Sequence, residues 1–228
     1  MVILFGAIQV SDAENLDCLF ESFLYKFNGF NENSYYTCKV NSFENGNNNK
    51  IITGYNGKIT DNKDESDVKM IYMKEIDVEY IPENIGLLFK LAALCMRDCK
   101  LIQIKPNDFN GMEDLEYLDL AGNKLLVIPT DAFFSLESLI LIDLSYNQIE
   151  ELTNGIFINN NDLVRTYLVD NKIKLIGSTV FDDMPELAEV SLDGNICVSK
   201  YYYYVNQLKK DVQLNCKHPE DFTCTFED

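Results

Sequence analysis

Asp119 and Asp143 are the residues whose spacing first invites a chemical reading. On neighbouring parallel strands they would lie about 5 Å apart, close enough to share a calcium ion or to divide general acid–base work. Carboxylates held in register on a repeating surface are more often simply solvated, and nothing else in the chain completes a catalytic set. There is one histidine, His218, followed by Pro219 and Glu220. No second histidine, Cys–His arrangement, phosphate-cradling glycine loop or H-E-x-x-H helix accompanies it. The sequence therefore predicts no catalytic residue, no cofactor and no metal site.

Cysteine placement says more. Of seven cysteines, Cys18 and Cys38 lie near the start, and Cys197, Cys216 and Cys224 near the end. Cysteines enriched at both flanks read as disulfide-closed caps, which require an oxidising compartment. Val2–Val10 is a short uncharged apolar run followed by Ser11-Asp12-Ala13, small residues at both positions that a signal peptidase inspects. Residues 1–13 are read as a signal peptide, with a buried N-terminal strand as the competing reading, and the chain as extracellular and secreted. No other apolar stretch approaches the ~20 residues of a membrane span. No N-x-S/T acceptor is present. A net charge of −18, spread along the chain, leaves no basic face for phosphates or anionic lipid.

The elements that would position these residues follow from a period of 24 between Leu91 and Leu187. Frames begin at Leu91, Leu115, Leu139, Leu163 and Leu187 and run L-x-x-L-x-L-x-x-N-x-L with isosteres. The clearest are Leu115, Leu118, Leu120, Asn123, Leu125 and Leu139, Ile142, Leu144, Asn147, Ile149. In each, the leucines alternate with outward residues, as on a strand. Asn123, Asn147, Asn171 and Asn195 fall where the chain turns, and Cys99 takes that place in its own repeat. An inward Asn there can serve backbone groups that the bend would orphan. Phe109, Phe133, Phe157 and Phe181 recur on the opposite side as one stacked ring per turn.

This pattern is the signature of a leucine-rich repeat. The repeats and cysteine-bearing flanks resemble those of extracellular leucine-rich-repeat proteins. The phrase Leu141-Ile142-Asp143-Leu144-Ser145-Tyr146-Asn147 and the segment Ile81-Pro82-Glu83-Asn84-Ile85-Gly86 are similar to secreted insect members. The resemblance implies an α/β solenoid: a leucine-rich-repeat horseshoe with a parallel concave sheet, about six repeats of 23–24 residues, capped at both ends. It also implies a C-terminal cap bridge, most simply Cys197–Cys216. The chain departs from the usual Cys-x-Cys pair there, which leaves the partner of Cys224 open.

The organisation expected is a signal peptide at 1–13, an N-terminal cap at 14–67, repeats at 68–187, and a last strand with its cap at 188–228. In the first cap, Ser34–Phe43 and Lys50–Ile59 read as two strands of a hairpin, and a Cys18–Cys38 bridge would contribute about 3 kcal/mol. The first repeat, from Val68, is irregular, with Ile76 where Asn is expected. Tyr201–Tyr204 with Val205, Leu208 and Val212 suggests a short closing helix, or else an exposed aromatic patch.

Outward strand residues would line the concave face. Tyr72, Arg97, Tyr117, Leu141, Arg165 and Tyr167 are the expected partner-binding set, because Tyr and Arg dominate protein-interface energetics. The expected function is protein binding, with innate immunity or cell-surface signalling implied by the resemblance. The competing expectation is a self-associating or disulfide-linked extracellular component, a homodimer bridged through Cys95 or Cys224.

Overall fold

The computed structural model describes residues 13–25, 33–43, 51–182 and 184–216. Residues 1–12 of the segment 1–13 that was read as a signal peptide, His218 and Cys224 lie outside the described residues. In chain order the strands are β1 (Ala13–Tyr25), β2 (Asn33–Phe43), β3 (Ile51–Asn56), β4 (Val68–Lys74), β5 (Ala93–Arg97), β6 (Tyr117–Asp119), β7 (Leu141–Asp143), β8 (Glu151–Leu152), β9 (Arg165–Tyr167), β10 (Leu175–Ile176), β11 (Glu189–Ser191) and β12 (Tyr201–Tyr202). One α-helix follows, α1 (Val205–Asn215).

Ten strands make one sheet in the order β12-β11-β9-β7-β6-β5-β4-β2-β1-β3. From β4 to β11 every neighbour is parallel and in register one repeat on: Ala93 with Tyr117, Tyr117 with Leu141, Leu141 with Arg165, Arg165 with Glu189. A 24-residue return brings each strand beside the last, so the chain winds as a parallel solenoid. β8 and β10 pair on the return segments.

Two stacks hold the turns together. The inward residues Leu94, Leu118, Ile142 and Thr166, and beside them Leu120, Leu144 and Leu168, are fully buried. On the far side the Phe109 and Phe133 rings, and the Phe133 and Phe157 rings, lie 5.9 Å apart, and Phe181 is buried at the end of that row. At the bend, Asn123 Oδ1 accepts from the amides of Cys99 and Leu101, while its Nδ2 donates to the carbonyls of Met96 and Leu120. Asn147, Asn171 and Asn195 repeat this arrangement one turn at a time. Cys99 is buried there too, its thiol directed at the carbonyls of Met73 and Arg97. The residue just before each of these positions adopts positive φ: Asp98, Gly122, Tyr146, Asp170 and Gly194. That left-handed step turns the chain sharply enough for one side chain to reach amides of the preceding turn.

The N-terminal cap differs from the expected hairpin. β1 lies between the other two strands, antiparallel to β2 and parallel to β3, and β2 joins the solenoid alongside β4. Ser34–Phe43 and the segment from Lys50 are thus not each other's neighbours. Leu16, Cys18 and Phe20 point into the core, with Asp17, Leu19 and Glu21 outward, and this alternation makes β1 a half-buried strand. Cys18 is bonded to Cys38 across β1 and β2. At the other end Cys197 is bonded to Cys216, and α1 buries Leu208 and Val212 against the last turn.

Candidate functional site

The outward residues of β4 to β11 lie together on the inner face of the sheet, but they do not face open solvent. Met70, Ala93, Cys95, Tyr117, Leu141 and Tyr167 form a second apolar cluster, separate from the solenoid core, with Phe23, Tyr25, Tyr35, Tyr72 and Tyr201 packed against it. The β2–β4 ladder runs only from Tyr36 to Lys39. Beyond it the β1–β2 pair lies across the inner face. The Phe23 ring is 4.8 Å and the Tyr25 ring 5.6 Å from that of Tyr72, and the Tyr35 ring is 6.5 Å from that of Tyr117.

A charged network sits beneath. Arg97 at the end of β5 donates from Nε (3.0 Å) and Nη2 (2.9 Å) to Asp119 Oδ2, and from the same Nη2 (3.0 Å) to Asp143 Oδ2. Each carboxylate also accepts a backbone amide two residues on, from Ala121 and Ser145. The Tyr25 hydroxyl donates to Asp119 Oδ2 at 2.7 Å, and the Cys95 thiol points at that hydroxyl from 3.5 Å. Burial, then the Asp119 charge, pushes the Asp143 carboxyl above its usual range and the Cys95 thiol well above its own. Burial works against the Arg97 guanidinium, but Asp119 and Asp143 outweigh it and keep it protonated.

A second group stands nearer the C-terminal end. Glu189 Oε2 receives the Arg165 guanidinium at 2.8 Å, the Tyr201 hydroxyl at 2.6 Å and the Tyr167 hydroxyl at 3.3 Å. Burial raises the Glu189 carboxyl, yet these donors prevail and hold it below its usual range. Tyr167, buried and beside Glu189, is pushed up to about 12. Tyr203 and Tyr204 project outward from this end.

This geometry corrects several expectations. Tyr117, Leu141 and Tyr167, read as open contact residues, are at most 7% exposed; only Tyr72, Arg97 and Arg165 of that set are reachable in part. Asp119 and Asp143 are not solvated: both are buried and share one guanidinium, and Tyr25 closes over Asp119. Cys95, proposed as an intermolecular bridge, is fully buried, so a disulfide to a second chain cannot form there without opening the face. The physical reason is common to all three. Outward on a strand means exposed only if nothing lies over the sheet, and here β1–β2 does. Phe23, Tyr25 and Tyr35 were missed as site residues, although aromatic side chains two apart in β1 mark one face of a strand. Among the described residues no group of three or more His, Cys, Asp and Glu is placed to hold a metal.

Comparison with known proteins agrees with this architecture. Residues 90–149 and, in a second match, 113–173 fit the leucine rich repeat family model. The fold is a leucine-rich-repeat solenoid. A structure of the Toll–Spatzle complex of Drosophila is similar over 56% of this chain and 17% of its own, at 25% identity and a TM-score of 0.54. A structure of the TLR13–ssRNA13 complex is similar over 58% of this chain and 20% of its own, at 24% identity and a TM-score of 0.53. The chain thus spans a fifth or less of the length of these structures. No curated protein matches the sequence.

Proposed function

We propose that this chain is a secreted, protein-binding leucine-rich-repeat module that recognises its partner on the concave sheet, in immunity or cell-surface signalling. The observation that carries the reading is the second cluster on the inner face. Tyr72, Tyr117, Leu141 and Tyr167, with Arg97 and Arg165 in ion pairs, add nothing to the stack of leucines and phenylalanines that holds the turns together. Tyr72 and Tyr117 already bind polypeptide, because Phe23, Tyr25 and Tyr35 of the β1–β2 pair lie on them. Large aromatic anchors beside hydrogen-bonded Arg–carboxylate pairs are the chemistry of a protein interface. The Drosophila relative is solved as a complex of Toll with Spatzle, which favours a protein ligand. Two disulfides suit an oxidising, extracellular setting.

The test is affinity capture from extracellular fluid with the disulfide-intact chain as bait. A second bait carries Arg165→Ala with Glu189→Ala, which removes both members of an ion pair and strands no charge. A protein partner retained by the first bait and lost by the second supports the reading. Equal retention by both moves the site off this face and overturns it.

A further inference from the structure

We propose that the β1–β2 pair is a displaceable strap: Phe23, Tyr25 and Tyr35 occupy the concave face in cis, in the place of a protein segment of the same chemistry. This deepens the protein-binding reading and rests on it. That partner would present an extended strand with aromatic side chains two residues apart, one of them ending in a hydroxyl that donates to Asp119.

Three features of the strap argue for displacement over permanent packing. First, its two ends belong to different cores. Leu16, Cys18, Phe20, Tyr36, Cys38, Val40 and Phe43 are buried in the main core, whereas Phe23, Tyr25 and Tyr35 are only partly buried and pack on the separate inner cluster. The Cys18–Cys38 bond fastens the first end alone, so the far end can leave without uncapping the solenoid. Second, the ladder to β4 begins at Tyr36, with a register irregularity between Tyr36 and Thr37. That irregularity is where the pair can bend away from β4. Third, the site beneath remains partnered when the strap departs. Arg97 still holds Asp119 and Asp143, and the amides of Ala121 and Ser145 still hold their second oxygens. The Tyr25 hydroxyl, which donates to Asp119 and accepts from Cys95, can be replaced there by water or an incoming hydroxyl.

Two buried thiols make the opening measurable without any partner. Cys95 lies directly under Tyr25, while Cys99 lies inside the solenoid at the bend. The disulfide-intact chain is treated with N-ethylmaleimide under native conditions, and modification at each cysteine is followed by peptide mass spectrometry. Cys95 should react about tenfold or more faster than Cys99, because strap opening costs less than opening the repeat stack. Tyr25→Ala should accelerate Cys95 further and leave Cys99 unchanged. If Cys95 and Cys99 react in step in both proteins, the pair is an integral cap and the strap is refuted. The partner chemistry is then probed with the peptide Phe-Glu-Ser-Phe-Leu-Tyr added to the Tyr25→Ala chain. Protection of Cys95 by this peptide, and none by the peptide ending in Ser, supports the stated ligand chemistry; equal or absent protection overturns it. A mobile strap together with a partner bound off the concave face would defeat the protein-binding assignment alone, so the two failures are distinguishable.

Discussion

Asn147→Ala tests how the turns are joined, and its cost can be worked atom by atom. Asn147 Oδ1 accepts the Leu125 amide at 3.1 Å, and Nδ2 donates to the carbonyls of Leu120 (3.0 Å), Leu144 (3.0 Å) and Ser145 (3.2 Å). The three carbonyls each keep another donor after truncation: Asn123 Nδ2 on Leu120, Asn171 Nδ2 on Leu144, and the Gly122 amide on Ser145. The Leu125 amide has no such reserve. One orphaned buried donor at about 1–3 kcal/mol, with three weakened acceptors at less than about 1 kcal/mol each, gives a loss near 3 kcal/mol. Asn147→Cys restores a weak donor, as Cys99 does in its own turn, but no acceptor for Leu125, so it should fall between alanine and wild type. Urea denaturation with disulfides intact measures both. A loss below about 1 kcal/mol for Asn147→Ala, or a cysteine variant no better than alanine, would refute the accounting.

Three further outcomes follow from particular groups. Thr166 is fully buried in the inward row and among the described residues its hydroxyl finds no hydrogen-bond partner, so Thr166→Val should stabilise by about 1 kcal/mol in the same denaturation assay; a loss of that size would show the hydroxyl is satisfied. Asp143 has a folded pKa above its unfolded value, so it binds its proton more tightly in the folded chain. Its penalty is present at neutral pH and disappears as pH falls through the folded value towards 4, so wild type should gain stability relative to Asp143→Ala over that descent, and a constant difference would contradict it. Replacing Cys197 and Cys216 together by Ala opens a loop of 19 residues and should cost about 3 kcal/mol, read as a lowered denaturation midpoint.

The solenoid was legible because its cause is local and repeated. Leu118, Asn123, Phe133 and their copies 24 residues on each satisfy the same contact in successive turns, so one frame announces the next. Cys99 shows how the pattern tolerates an exception: its thiol meets the carbonyls of Met73 and Arg97 much as Asn123 Nδ2 meets those of Met96 and Ala121. β1 was hidden for the opposite reason. Its partners, β2 and β3, are chosen by pairing at a distance, and nothing in Ala13–Tyr25 states that β3 will lie parallel beside it. The inner face suffered the same gap. Arg97, Asp119 and Asp143 could be placed on one side of the sheet from their registers, but the cover over Asp119 comes from Tyr25, which lies 94 residues away in sequence.

The most direct test of the concave-face assignment is site-specific photo-crosslinking in extracellular fluid. A benzophenone side chain would replace Lys74 or Val169 on the inner side of the sheet, and Phe134 or Ile158 on the exposed outer surface. The account predicts protein adducts from positions 74 and 169 and none from 134 and 158. Adducts confined to the outer positions, or no adduct from any inner one, would contradict it.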